Sequence, residues 1–373
     1  MKKTADTSGR VGLIGPLLPY RGGIAQHTTM LRRTLSQKSD LLTISFKRLY
    51  PKWLYPGKND IDEKLKGYQE PGVSYMLDSL NPLTWIQTCG SLTDHSARAV
   101  IIPWWTVFLA PCFGFIAHRL RRKGVQVIFL CHNVKEHEPS LWKEIVTRWV
   151  LSGNQLFLVH TKSDADILAA MVPNSRIGIH PHPVYSQFPK AEKAPIRRAR
   201  LELLFYGFVR PYKGLDILIK AMQLLKHEDI FLTIAGELWD HDESLLNSLT
   251  DKNLLGKIEV VDHYIGEEET ARYFSRADVV VLPYRSSSGT GVIPLAYHYG
   301  KPVIATSVGG LSEVVVDGVS GRLVKPEDPS ALAEVIQEFL YNPPSLMLKG
   351  VERIARDMTW EGFVQYILDF IRS

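Results

Sequence analysis

The sequence predicts an α/β protein of two doubly wound domains, each on a parallel sheet, facing one another across a cleft. Three observations carry this. Continuous apolar runs alternate with helix-period segments, as they do when a parallel sheet is covered on both faces. The alternation stops at a proline-rich stretch, 174–200, and then starts again. At 373 residues, the chain is also too long for one ordinary core.

In the first half RVGLIGP (10–16) reads as a strand. YRGGIAQH follows as a glycine-bearing turn, and Thr28 to Ser36 as helix. Strands follow at TISF (43–46), AVII (99–102), VQVIFLC (125–131) and QLFLVH (155–160), with helices between them. The run 101–123 contains two prolines and ends in a basic cluster. It reads as a strand, a turn at Pro103 and a half-buried helix ending near Lys123 rather than as a membrane span, which needs about 20 apolar residues. NSRIGIHPHPVYSQFPKAEKAPIRRAR (174–200) reads as linker. In the second half, strands are expected at 201–207, 231–236, 257–262, 278–283 and 301–306. Leu215, Leu218, Ile219, Met222 and Leu225 fall on one helical face. Asp328 before Pro329 marks a capped helix start. The expected boundaries are 1–185 for the first domain, 186–200 for the linker and 201–355 for the second domain, with a final helix in 356–373 crossing back to the first.

Composition narrows the class. An apolar share of 45% and a net charge of +5 describe a globular protein that can meet an anion or a membrane surface but requires neither. Three cysteines set among apolar residues, without metal spacing, fit reduced buried thiols in a cytoplasmic protein. The first ten residues have no apolar core of the kind a signal peptide carries.

Candidate chemistry sits at strand ends, where open α/β sheets bind ligands. Gly22 and Gly23 allow close backbone approach at a helix start, or form only a tight turn. YGFVRPYKG (206–214) carries Arg210 and Lys213 where a strand gives way to a helix. Cations are unfavourable at a helix N-terminus unless an anion shares the place, so the pair suits a diphosphate. SSSGTG supplies hydroxyls and flexible backbone at Ser287, Ser288, Gly289 and Thr290, before a helix whose start Pro294 fixes. His132 closes a strand, as a structural polar group or a functional one. His137, His180 and His182 are weaker candidates, and no metal-ligand set is expected. Trp104 and Trp105, with FKRLYPKWLYPGK (46–58), read as exposed aromatics and cations suited to a sugar or a membrane surface.

Nearly the whole chain resembles retaining nucleotide-sugar glycosyltransferases of the GT-B fold, family 4. LLFYGFVRPYKGLDILIKAMQLL, LTIAGE, ADVVVLPY and AYHYGKPVIATSVGGLSEVVVDGVSGRLVKPEDPSALAEVI carry the likeness in the second half, PYRGGIAQHT and FLCHN in the first. The resemblance implies two Rossmann-like domains and a hexosyltransferase that needs no metal or cofactor. Gly22 and Gly23 would lie near donor phosphates and acceptor, and His132 against the donor sugar. Lys213 would bind the diphosphate, and Tyr264 and Ile265 would pack the nucleotide base. The family arginine position is Phe208 here, with Arg210 replacing it from two positions on. The family's paired glutamates correspond to Ser287 and Leu295, so the resemblance leaves the sugar and the base open. The implied partners are a nucleotide sugar and a glycan or lipid-linked acceptor, with peripheral contact at the inner face of the membrane and no nucleic acid. A catalytically silent subunit that binds nucleotide or glycan is the alternative, and a nucleotide-sugar epimerase is a more distant third.

Overall fold

The computed structural model describes all residues except 1–9, 52, 55–58, 136–139, 193–195 and 240–242. His137 lies outside the described residues. The chain divides into two units, 1–181 with 360–373, and 182–359.

The first unit runs β1 (Arg10–Ile14), α1 (Gly23–Lys38), β2 (Leu41–Arg48), β3 (Val73–Asp78), α2 (Pro82–Asp94), β4 (Ala97–Trp104), α3 (Ala110–Arg122), β5 (Gln126–Cys131), α4 (Leu141–Ser152), β6 (Leu156–Val159), α5 (Lys162–Met171) and β7 (Arg176–Ile179). Its seven strands are parallel, in the order β3-β2-β1-β4-β5-β6-β7. Strand residues alternate between two cores, as the period of two requires. Val100, Ile102, Val127, Phe129 and Phe157 meet the side chains of α2, α3 and α4. Val11, Leu13, Ile101, Ile128 and Leu158 meet α1 and the chain's last helix.

The second unit runs β8 (Leu201–Tyr206), α6 (Leu215–Leu224), β9 (Ile230–Ala235), α7 (Glu243–Leu249), β10 (Ile258–Val261), α8 (Glu267–Arg276), β11 (Val279–Leu282), α9 (Val292–His298), β12 (Val303–Thr306), α10 (Leu311–Val314), β13 (Gly321–Val324), α11 (Pro329–Tyr341) and α12 (Leu348–Asp357). After it, α13 (Trp360–Arg372) joins the first unit, burying Trp360, Phe363, Val364 and Ile367 beside α1. The six strands are parallel, in the order β10-β9-β8-β11-β12-β13. Asp328 caps α11, its carboxylate accepting the Ala331 amide at 3.0 Å.

Two expectations need correction. Residues 176–179 are not linker: Arg-Ile-Gly-Ile pairs with β6 as an edge strand, and the proline-rich stretch begins only after it. Nor does the fourth strand stop before Pro103. It continues through Pro103 and Trp104, pairing with Leu130 and Cys131 of β5. The ladder between β4 and β1 has already ended at Ile101. The missing proline N–H therefore leaves no bond unmade on that side. Cys89, Cys112 and Cys131 are free and buried.

Candidate active site

In the second unit, strand order reverses between β8 and β11, where the crevice of a doubly wound sheet opens. Two stretches singled out from sequence, 207–214 and 283–291, leave these two strands at their carboxyl ends.

Glycines shape the first turn. Gly207 has φ +90°, and a Cβ there would lie 3.1 Å from the Lys213 ammonium. Gly214, at φ +66°, brings its backbone so near Pro283 that a Cβ would fall 2.1 Å from the Pro283 carbonyl oxygen. The two loops are thus packed backbone to backbone. Arg285 ties them further: its amide donates to the Tyr212 carbonyl at 2.7 Å and its Nη1 to the Pro211 carbonyl at 2.8 Å. Its remaining guanidinium nitrogens reach Asp216 at 2.8 Å and Glu327 at 3.1 Å.

Lys213 is 7% exposed. Its ammonium lies 5.6 Å from the centre of the Tyr284 ring. Burial, with the Arg210 charge adding to it, lowers the Lys213 pKa to about 7. Burial pushes the Tyr284 phenol up, against the opposing effect of the Thr290 side chain. Lys213, Tyr284 and Thr290 are therefore one neighbourhood. Arg210 is half-buried, its guanidinium 5.6 Å from the Tyr212 ring and 6.0 Å from that of Trp239.

In the second loop the Ser287 hydroxyl donates to the Gly289 carbonyl at 3.0 Å. The Val292 amide donates to the Thr290 hydroxyl at 3.2 Å. Ser288, Gly289 and Thr290 are half-buried, while Ser287 is 8% exposed. Gly309, at φ +46°, supports this loop so closely that a Cβ would fall 1.8 Å from the Ser287 carbonyl oxygen. Leu295 is buried in the core beneath, among Ile293, Ala296 and Leu311. Phe208 stacks on Trp239, centroids 4.3 Å apart. Ile265 is buried in the second-unit core and Tyr264 is half-buried beside it, both beyond β10 at the sheet edge.

In the first unit, Gly22 caps α1 at φ +97°, a conformation that suits glycine, and Gly23 begins the helix. His132 follows β5, with its amide donating to the Trp104 carbonyl at 2.8 Å. Sequence reading missed the two histidines beside it. His27 is buried on the first turns of α1, its ring centre 4.6 Å from that of His132 and 4.9 Å from Trp360. His160 follows β6, and its Nδ1 donates to the His180 carbonyl at 3.0 Å. Ligating nitrogens of His27, His132 and His160 lie within 4.8 Å of one another. Imidazole nitrogens are ligands of divalent cations such as zinc, at bonds of about 2.0–2.1 Å. A signal for the missed pair was available. Cys131 and Val159 are in register, so His132 and His160 are the next residues on adjacent strands. His27 stands one helical turn after Gly23.

The expected aromatic acceptor surface is corrected at Trp104. That side chain is 2% exposed and packs edge-on against Phe129. Trp105 is half-buried and donates its indole N–H to the Tyr50 hydroxyl at 3.0 Å. Among the described residues, no helix is long and apolar enough to cross a membrane.

Residues 187–355 match the family described as Glycosyl transferases group 1. D-inositol 3-phosphate glycosyltransferase 1 of Catenulispora acidiphila is 31% identical over 246 residues, 60% of this chain and 58% of that one. The D-inositol 3-phosphate glycosyltransferase of an Arthrobacter species is 38% identical over 152 residues, 39% of this chain and 35% of that one. The chain spans about half the length, or less, of these curated relatives. Sucrose-phosphate synthase from Thermosynechococcus elongatus superposes with a TM-score of 0.74 at 19% identity, over 98% of each chain. Anabaena HepE in complex with UDP and glucose gives 0.73 at 15%, over 97% of this chain and 99% of that one. At such identities the likeness establishes the fold, which is GT-B.

Proposed function

We propose that the chain, whose residues 187–355 match the family of group 1 glycosyl transferases, is a retaining glycosyltransferase that moves a hexose from a nucleoside-diphosphate donor to a glycan or lipid-linked acceptor. The observation that carries this is the union of 210–213 with 284–290 at the β8/β11 switch point, holding a buried lysine beside an arginine. Two neighbouring cations with little solvent are costly alone and favourable once a dianion arrives.

In the proposed reaction the bond from sugar C1 to the diphosphate oxygen breaks. A bond from the acceptor oxygen to C1 forms on the same face, and the acceptor proton passes to the departing diphosphate. Arg210, Lys213 and the amides of 288–290 stabilise the growing negative charge, each such donor being worth roughly 3–4 kcal/mol. Ser287 to Thr290 supply hydroxyls to the sugar, Tyr264 and Ile265 border the base, and Gly22, Gly23 and His132 take the roles the family resemblance gives them. We assign the reaction no metal or cofactor, and place the protein in the cytoplasm with peripheral contact at the membrane.

The silent-subunit reading draws on one observation: the second acid position is Leu295, whose place in the core leaves a carboxylate no solvated position. The two readings part on turnover. Incubation with a panel of nucleotide sugars and acceptors, beginning with UDP-glucose because the Anabaena structure holds UDP and glucose, should release nucleoside diphosphate. Product NMR should show the donor's anomeric configuration retained. Release unchanged in Lys213→Ala would overturn the phosphate site; nucleotide binding without release across the panel would establish the silent subunit.

A further inference from the structure

Helix α4 turns large apolar side chains outward. Leu141 is 81% exposed, Trp142 58%, Ile145 68% and Trp149 69%. Its opposite face is properly buried, with Thr147, Val150 and Leu151 inside. The helix is therefore well seated, and the outward apolar side chains are surplus to its packing. Such a cluster on one helix marks an interaction site rather than scattered surface apolarity. The surface continues across the neighbouring helices. Trp149 approaches Gly114 of α3, and α2, packed against α3, exposes Leu83 and Ile86. Between α4 and α5 runs an open cavity of about 900 Å³, with Leu141, Ile145, Ile167, Ala170 and Met171 in its lining.

The charge of this layer is net positive. Helices α2, α3 and α4 carry Arg119, Arg121, Arg122, Lys143 and Arg148 against Asp94 and Glu144. Arg119, Arg122 and Arg148 are exposed, and among the described residues none of the three forms an ion pair. A second copy of the chain is a poor occupant, because a two-fold contact would set this basic rim against itself. Outward Trp, Leu and Ile flanked by arginines match the boundary of an anionic bilayer. There indoles rest at headgroup depth, and each nearby basic residue contributes about 1 kcal/mol.

We propose that the outer face of α2, α3 and α4 docks on an anionic phospholipid bilayer, with Trp142, Ile145 and Trp149 entering the headgroup region. This deepens the lipid-facing part of the proposed acceptor reading, yet it is testable without donor or turnover.

The test is co-sedimentation of the full chain with phosphatidylcholine vesicles and with vesicles containing phosphatidylglycerol, at low and high salt. Binding is expected to the phosphatidylglycerol vesicles at low salt and to weaken as salt screens the arginines. Trp142→Ala with Trp149→Ala should lower the partition coefficient about tenfold or more. Arg119→Gln, Arg122→Gln and Arg148→Gln should each lower it about fivefold. All are surface changes, so an unchanged thermal melt certifies the fold. Failure to bind phosphatidylglycerol vesicles at low salt, or binding unaltered by the double tryptophan substitution, overturns the proposal. So does a concentration-dependent dimer that the same double substitution dissolves, which would assign the face to a second copy. Diphosphate release by a protein that ignores vesicles would leave the transfer reading intact and remove only the docking.

Discussion

The Lys213 ammonium sits 5.6 Å from the centre of the Tyr284 ring, so the face of one loop's aromatic receives the cation of the other. This contact, with Arg285 bridging the same two loops, makes the buried lysine a fixed element of the crevice rather than a mobile surface charge. A buried cation beside another cation opposes folding while it prepares for an anion.

The first prediction follows from that opposition. Lys213→Met should lower nucleoside diphosphate release by roughly 10²–10³-fold, the loss expected for one preorganised donor. The same substitution should stabilise the ligand-free protein at neutral pH, by as much as ~4 kcal/mol if the whole depression of the lysine pKa is recovered. Steady-state rates and urea unfolding of one preparation check both halves; a variant that is inactive and also less stable contradicts the account.

The pH dependence has a definite sign. In the free protein Lys213 titrates near pH 7, whereas in the unfolded chain it titrates in the ordinary lysine range. Between these values the unfolded state binds more protons, so this lysine's contribution makes stability rise with pH from about 7 upward; below pH 7 its cost is constant. On the proposed function, a bound diphosphate would raise the Lys213 pKa again. Diphosphate binding should therefore take up a proton near pH 8 and weaken as pH rises. Calorimetry in buffers of different ionisation enthalpy measures that uptake directly.

Gly309→Ala should damage the site without touching any charge. A methyl there would meet the Ser287 carbonyl 1.8 Å away, on a backbone at φ +46°. The 287–290 loop must move or the backbone must strain. A stability loss of about 1–3 kcal/mol is expected, with a fall in kcat/KM that exceeds any change in nucleoside diphosphate affinity. Thermal melts and kinetics decide, and native rates in the Gly309→Ala variant would show that the loop's position is not critical.

The histidine trio separates two roles. If His27 positions His132, His27→Ala should lower turnover about tenfold or more, by loosening a ring held at a 4.6 Å centroid distance. Dialysis against a chelator should leave wild-type activity unchanged. Activity lost to chelator and restored by zinc would turn the trio into a metal centre.

Much of the fold was legible because the core strands are continuous and apolar. The 215–225 helix and the Asp328 cap were legible from periodicity and capping chemistry. Strand β3 was missed because Val73–Asp78 is a half-buried edge, where the pattern is mixed. Strands β7 and β13 escaped because four residues with a glycine in each look like turn. The loop residues of the crevice could be read from chain position alone, since turns after strands mark the ligand end of the sheet. Arg285 could not, because its value lies in reaching Pro211, Tyr212, Asp216 and Glu327, contacts across 42 to 74 positions of sequence. Trp104 was misjudged because its neighbour Pro103 looked like the end of the strand.

Helix α13 has a consequence for biogenesis. The sheet face bearing Val11, Leu13, Ile101, Ile128 and Leu158 is covered in part by Phe363, Val364 and Ile367, which leave the ribosome more than three hundred residues after the first of those strands. During synthesis the early strands must wait with part of that side uncovered, while residues 182–359 hold every strand of their own sheet. The half of the protein made first is thus the half finished last, and its waiting surface is where a nascent-chain chaperone would be needed.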